Sequence, residues 1–396
     1  MSADGQQPPK IRLVGVGGGG LRIVDRLRAE AWPGIETTVF DTDARELERC
    51  PETATVRLGR SLLRGLGCAG DEEMGRLAAE SDRGVIAEAV AGADLAVVVG
   101  CFGRGCASGA LPVVAGLIGE SGCPTVAVVS NPFEFEGRRP KEIARQAVSS
   151  VRKAADCVIE LPNDLLFQEA DDADRADRLF EASDRWIARA IRALVGPLFR
   201  PGPLSCDLAT FRDALKGGES RTLFSTCRVP AETGAEGAKK GLYDCPLRAP
   251  GLERAKADFL LASIGTGGGL TTAAFSEIAE ALGGLFEAKE RAVVGLWEDP
   301  SLGDEIEVTV VARTALAADP EPVARTRPVA VHKSKLDRKR GKKEHPNERQ
   351  TEFDALLEHN ERGLFGRMDV EAYGGVDLDK PTFLRRGIKI PMPKGG

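Results

Sequence analysis

The first apolar run of the chain is Ile11 to Val14, a strand-like stretch that stops at Gly15-Val16-Gly17-Gly18-Gly19-Gly20. A helix is expected next, from about Leu21 to Glu30, and then a second strand, Thr37 to Phe40, ending in Asp41-Thr42-Asp43. Gly59 to Gly75 reads as a glycine-rich connection and Leu77 to Val90 as one helix. Ala93 to Val99 is apolar throughout, as a strand covered on both faces would be, and leads into a second glycine-rich turn, Gly100 to Gly109. Another helix and the strands Thr125 to Val129 and Val158 to Leu161 follow. Such alternation of buried strands and helices predicts an α/β fold with a doubly wound parallel sheet.

Leu179, Ile187, Ile191 and Leu194 recur at helical spacing within Ala173 to Leu194, which predicts a long central helix ended by Pro197, Pro201 and Pro203. A second α/β unit follows, with strands at Phe259 to Ile264, Ala292 to Trp297 and Glu305 to Ala312 and a helix from about Thr272 to Leu282. From about Leu316 the apolar period disappears and Pro, Lys, Arg and Glu dominate, the composition of a disordered linker. A coil of that length spans roughly 40–45 Å. The expected organisation is a flexible N-terminus (1–10), a nucleotide-binding domain (11–172), a central helix and connection (173–203), a C-terminal activation-type domain (204–315), a linker (316–375) and a terminal peptide (376–396).

Composition narrows the chemistry. The chain has 396 residues, 42% of them hydrophobic, which suits two cored domains and a tail. Its net charge of −6 gives no general attraction to nucleic acid. Nine cysteines without a C-x-x-C pair suggest neither a disulfide framework nor a zinc site, and point to a reducing cytoplasm. Met1 to Lys10 has no apolar signal core, and no apolar run reaches the ~20 residues of a membrane span. The three histidines, His332, His345 and His359, all lie in the late charged region. Histidine-based nucleophilic catalysis and histidine-ligated metals are therefore not expected, and no metal site is assigned. Carboxylates, backbone amides and a bound cation remain as carriers of chemistry.

Gly15-x-Gly17-x-x-Gly20 between a strand and a helix fits the dinucleotide fingerprint, with Asp41 and Asp43 at about the ~20-residue distance at which a ribose-binding acid is found. A nicotinamide-dependent dehydrogenase is one reading, and a plain strand–helix turn another. The second turn, Cys101-Phe102-Gly103-Arg104-Gly105-Cys106-Ala107-Ser108-Gly109, favours a different nucleotide. Two phosphate loops at adjacent strand ends can wrap one triphosphate from both sides, because successive amide N–H groups form anion-binding nests.

These motifs and several further stretches resemble the FtsZ/tubulin family in collinear order over about residues 11 to 313. Gly103 to Gly109 and Ala110-Leu111-Pro112-Val113-Val114 stand where the family has G-G-G-T-G-T-G and A-P-V-V. Gly65-Leu66-Gly67 and Glu73-Met74-Gly75-Arg76 resemble its terminal-phosphate loop, Asn131 to Gly137 its K-P-F-x-F-E-G, and Leu161-Pro162-Asn163-Asp164 its I-P-N-D. The resemblance implies a filament-forming, guanine-nucleotide-binding protein of bacterial cell division, cytoplasmic and at the division site. It implies GTP or GDP as ligand, with Mg2+ as a candidate companion. Gly17, Gly18, Gly19 and Gly20, with Gly103, Arg104, Gly105, Cys106, Ser108 and Gly109, would surround the phosphates; Glu136 would lie near the ribose, and Asp43, from the dinucleotide spacing, is a further candidate for binding the nucleotide. Asn163 and Asp184 would read guanine, and Phe180 would stack on it or pack in the core.

The departures from the family pattern matter as much. Leu21 and Arg22 stand where the family has glycine and asparagine, and Arg22 can either add charge at a phosphate or block the base. Arg104, Cys106 and Ala107 replace a glycine, a threonine and a glycine. The family's hydrolysis loop, N-x-D-x-x-D or E, becomes Ser205-Cys206-Asp207-Leu208-Ala209-Thr210, so that only Asp207 keeps its carboxylate. GTP hydrolysis is expected to be slow or lost, and a non-hydrolysing structural or regulatory paralogue is the alternative.

Asp377, Asp379, Pro381, Phe383, Leu384, Arg385 and Arg386 fall in a segment similar to the family's terminal peptide D-I-P-x-F-L-R-R. The resemblance implies docking on membrane-tethering and regulatory division proteins, besides self-association into a head-to-tail filament. The basic run Lys333 to Lys343 reads as solvated linker or as a contact for anionic lipid or nucleic acid.

Overall fold

The structure is a computed structural model that describes residues 9–28, 35–51, 53–169, 176–200, 202–204, 207–215, 221–248, 257–285, 292–314, 372–373 and 376–377. In chain order the first part runs β1 (Ile11–Val16), α1 (Gly17–Arg28), β2 (Ile35–Asp41), α2 (Ala44–Leu47), β3 (Ala54–Arg57) and α3 (Arg60–Leu63). It continues through α4 (Glu72–Ser81), α5 (Arg83–Val90), β4 (Leu95–Cys101), α6 (Gly105–Glu120), β5 (Thr125–Asn131), α7 (Arg138–Ala154), β6 (Cys157–Pro162) and α8 (Asn163–Glu169). The six strands pair in the order β3-β2-β1-β4-β5-β6, all parallel. The first six residues of β4 are buried, which accounts for an unbroken apolar run.

The long helix α9 (Ala176–Phe199) leads to α10 (Leu208–Leu215), β7 (Arg221–Pro230), α11 (Gly234–Asp244), β8 (Ala257–Thr266), α12 (Thr272–Leu285), β9 (Ala292–Glu298) and β10 (Glu305–Thr314). These strands form a second, mixed sheet, β7-β10-β8-β9, in which only β8 and β9 are parallel. A separate C-terminal unit, from Ala324 onward, is described only as the small hairpin of β11 (Ala372–Tyr373) and β12 (Val376–Asp377).

Three departures from the expected elements have simple causes. Helix α1 begins at Gly17, not near Leu21: Gly17 makes the turn with a positive φ, and Gly18, Gly19 and Gly20 already belong to the helix. The helix expected over Leu77 to Val90 is two helices, α4 and α5, broken at Asp82. Pro197 does not end α9: the helix carries it in its last turns and reaches Phe199, where Leu198 and Phe199 pack on the core. A proline so near a helix end forfeits one amide hydrogen bond, which the buried apolar contacts outweigh.

Helix α9 lies in a single buried cluster that joins the two sheets. Leu13, Val97 and Val128 of the first sheet, Ile187, Ile191 and Leu194 of α9, and Phe224, Leu261 and Val311 of the second all belong to it. At the end of α9, Arg200 pairs with Asp299 and lies over the Trp297 ring. The Trp297 indole N–H donates to the Ser263 hydroxyl at 2.8 Å. Among the described residues no helix is long and apolar enough to cross a membrane.

Candidate nucleotide site

The strand order reverses direction between β1 and β4, so the C-terminal ends of these two strands flank a crevice. In open parallel sheets this is the place where ligands bind. Helix α1 starts directly after β1 and α6 directly after β4, with no acidic residue in the first turn of either. Two helix N-termini, that of α6 without a side-chain cap, thus converge on the crevice, which favours an anion.

The glycines divide the work of building it. Gly17 has φ +76, and a Cβ there would lie 3.2 Å from the Ala107 nitrogen, so the two loops touch. A Cβ at Gly20 would lie 2.5 Å from the Val99 carbonyl oxygen, and one at Gly19 2.4 Å from Cys101 Sγ; these glycines let α1 approach β4. Gly103, with φ +102, donates its N–H to Ser108 Oγ at 3.0 Å and so closes the second loop on itself. Gly105 and Gly109 turn toward α4 instead: a Cβ at Gly109 would lie 2.0 Å from the Glu72 carbonyl oxygen. Gly75 of α4 comes equally close, with its Cβ position 2.3 Å from the Gly105 oxygen. The second loop is therefore clamped from behind by a backbone-to-backbone contact.

Around this end lie several side chains. Arg104 is exposed and extended at the start of α6, without a side-chain cap. Cys106 is buried enough to push its thiol well above the ordinary range, with the Asp41 charge adding to the effect. Asp41, which sequence reasoning set beside Asp43, is the buried carboxylate of the site, 3% exposed. Burial raises its pKa, while the N–H groups of Asp43 and Thr42 and the Cys106 thiol pull it back. Asp43 instead caps α2, accepting from the Arg45 N–H at 2.9 Å and pairing with the Arg45 guanidinium, which lowers its pKa. Glu46 faces Gly18, its Oε2 3.1 Å from the Cβ position. Among the described residues no group of three or more His, Cys, Asp or Glu side chains is arranged to hold a metal ion.

The other end of the crevice is built on α1, α8 and α9. Asn163 and Asp184 are both buried, 5% and 6% exposed. Asn163 Oδ1 accepts from Ser183 Oγ at 2.8 Å. Asp184 is taken up by Arg22: Nε donates to Oδ2 at 3.0 Å and Nη2 to Oδ1 at 3.3 Å. Burial lowers the Arg22 pKa, but the hydrogen bond and charge of Asp184 outweigh it and the net direction is upward. Phe180, 40% exposed, meets Phe133 edge-on at 5.3 Å between ring centroids and Phe135 edge-on at 6.4 Å. Glu136 accepts from the Phe133 N–H at 2.9 Å and so holds the turn that carries these rings. Cys101 lies between the two ends, within electrostatic reach of Asp184, Arg22 and Glu136, and burial raises its pKa. The sequence offered no signal for Ser183, which acts through a fold contact and not a motif; Cys101, Phe133 and Phe135 lie in the motif stretches, but their contacts, including the 5.0 Å stacking of the two rings, come from the fold.

Residues 10–171 match the family model described as Tubulin/FtsZ family, GTPase domain. The chain carries a Tubulin/FtsZ-family GTPase domain. Its fold agrees with solved members of that family. An FtsZ from M. jannaschii, described as an empty dimer, superposes with a TM-score of 0.72 at 25% identity, over 78% of this chain and 89% of that one. CetZ2 from Haloferax volcanii, a GTPgS-bound protofilament, gives 0.64 at 20% identity over 76% and 92%. CetZ1 from the same organism, a GDP-bound monomer, gives 0.66 at 17% identity over 78% and 96%.

Away from the crevice, Asp207 begins α10. Its Oδ1 accepts from the Thr210 N–H at 2.6 Å, and this bond and the Thr210 hydroxyl lower its pKa. Ser205 lies outside the described residues. So do Asp379, Pro381, Phe383, Leu384, Arg385, Arg386 and the basic run Lys333 to Lys343, while Asp377 is described only as part of β12.

Proposed function

We propose that this chain is an FtsZ-like, filament-forming protein of bacterial cell division that binds guanine nucleotide and hydrolyses it slowly or not at all. The observation that carries the reading is the meeting of two glycine loops, in contact at Gly17 and Ala107, beneath two converging helix N-termini. Chemically this end suits a polyphosphate, and the FtsZ-type domain that contains it makes GTP or GDP the natural ligand. Gly17, Gly18, Gly19, Gly103, Arg104 and Ser108 would face the phosphates. The buried Asp41 and nearby Glu46 put negative charge there, so a divalent cation such as Mg2+ would accompany the nucleotide. Glu136 would lie at the ribose, and Asn163, Phe180 and Asp184 at the base.

Slow turnover follows from the hydrolysis loop. In a head-to-tail filament of the kind the family resemblance implies, the loop of one subunit would complete the site of the next. Here Thr210 offers no carboxylate, and Asp207 is engaged in capping α10. Phosphoryl transfer depends on placing charge around the attacking water, and a loop with one acid missing and the other engaged supplies little of it. The terminal peptide would tether such filaments to membrane-bound and regulatory division proteins, and the basic linker would add a contact to anionic lipid or nucleic acid. In these roles the protein would act in the cytoplasm at the division site.

A combined GTP-binding, phosphate-release and pelleting assay tests the reading. Wild type is expected to bind and pellet with little release, and Thr210→Asp to raise release by roughly 100-fold. Rapid release by wild type that falls in Asp207→Ala would defeat the slow-turnover claim. Pelleting that ignores nucleotide would favour the structural paralogue.

A further inference from the structure

The base end of the crevice holds an arrangement that nucleotide binding alone does not require. Asp184 is buried, yet both of its oxygens are already taken by the Arg22 fork, Nε to Oδ2 and Nη2 to Oδ1. The edge of guanine that a carboxylate reads consists of N1–H and the exocyclic amine on one planar carbon. A guanidinium is the same fragment with a positive charge. Arg22 thus makes with Asp184 the pair of parallel hydrogen bonds that a guanine would make.

We propose that Arg22 is an internal stand-in for guanine, which keeps Asp184 from reading the base and removes the preference of the site for guanine over hypoxanthine. This rests on the nucleotide reading above and deepens it. The competition between the two donors is unequal. A guanidinium brings a full positive charge to the carboxylate, whereas guanine brings only neutral N–H donors, so a neutral base does not displace the guanidinium. Arg22 is also tethered: it lies on α1, one turn beyond Gly18, and is always at hand. The charged and titratable groups around it, Asp184, Cys101 and Glu46, all favour its protonated form, so the pair persists through the physiological pH range. The N1–H and exocyclic amine edge of the base therefore goes unread by Asp184, and binding energy comes chiefly from the phosphates and the ribose.

The test is isothermal titration of the full chain, with magnesium, against GDP and IDP. IDP lacks only the exocyclic amine. Wild type should bind the two within about threefold of each other, since neither base gains the Asp184 pair. Arg22→Asn frees the carboxylate and should raise GDP affinity and the GDP-to-IDP ratio to about tenfold or more. Arg22→Lys, which keeps the charge but loses the fork, should fall between them. A wild-type preference for GDP above about tenfold overturns the proposal without any variant having to fold. So does a ratio unchanged in Arg22→Asn and Arg22→Lys while binding persists. If no form of the chain binds either nucleotide, the failure lies in the nucleotide reading itself, and the inference falls with it.

Discussion

At the phosphate end of the crevice, turn glycines let backbone approach backbone closely and Arg104 stays in solvent. At the base end, two residues 162 positions apart close on each other and leave no acceptor of Asp184 unused. The first region is built from backbone, which tolerates side-chain drift so long as the glycines that permit close approach remain. The second is built from side chains, and a single replacement can fill it. Phosphate binding and base reading can therefore part company within one fold.

The largest effect should come from disturbing the backbone clamp. Gly109→Ala puts a methyl 2.0 Å from the Glu72 oxygen and 2.5 Å from the Arg76 nitrogen, with backbone on both sides. We expect a loss of about 3–4 kcal/mol, read by chemical denaturation, together with loss of nucleotide binding. A stability within error of wild type would show that the second loop is not held from behind.

The Arg22–Asp184 pair should respond unequally to its two deletions. Arg22 is 46% exposed and its partner 8%, so removing the arginine strands a buried carboxylate, whereas removing the aspartate leaves a cation that can turn to water. Arg22→Ala should cost about 3 kcal/mol and Asp184→Ala only about 1 kcal/mol. Equal costs would mean that the pair is no more than a surface contact.

The smallest effect concerns Asp41. Burial raises its folded-state pKa, so the native protein holds that proton more tightly than the unfolded chain does. Its contribution therefore lowers stability as pH climbs from the unfolded value near ~4 through the folded one, and is constant above it. Asp41→Asn keeps an acceptor for the Asp43 N–H and removes the charge. It should raise stability at neutral pH by about 1 kcal/mol and flatten the slope across that window. A drop at neutral pH would mean that the ionised form is needed to hold the turn.

How far the sequence disclosed this molecule depended on what kind of contact was at stake. The first sheet was legible because strands such as β4 are buried on both faces and read as continuous apolar runs. Strand β7 was missed, since its buried core includes Ser225 and Thr226, which look like surface. Helix α7 was missed although Ile143, Ala144, Ala147, Val148 and Val151 recur at helical spacing on its buried face, because charged neighbours such as Arg145 and Arg152 keep them from forming an apolar run. The edge strand β3 is mostly exposed at its start and carries no apolar run. At the site, the glycine motifs were visible, but two of their glycines serve α4 and not the crevice. For Arg22 the residues allowed two readings, and only the long-range approach of α9 to α1 brings its guanidinium to Asp184.

The cluster around α9 has a consequence for how the protein comes apart. Each half has a buried cluster of its own, but the layer around α9 is one apolar cluster that takes residues from both sheets and the helix between them, so neither half completes that layer alone. Melting should appear as a single calorimetric peak with matching van't Hoff and measured enthalpies, and a fragment ending near residue 203 should be insoluble. The helix is a shared wall, and a polymer made of such subunits would transmit strain through each one as a single body.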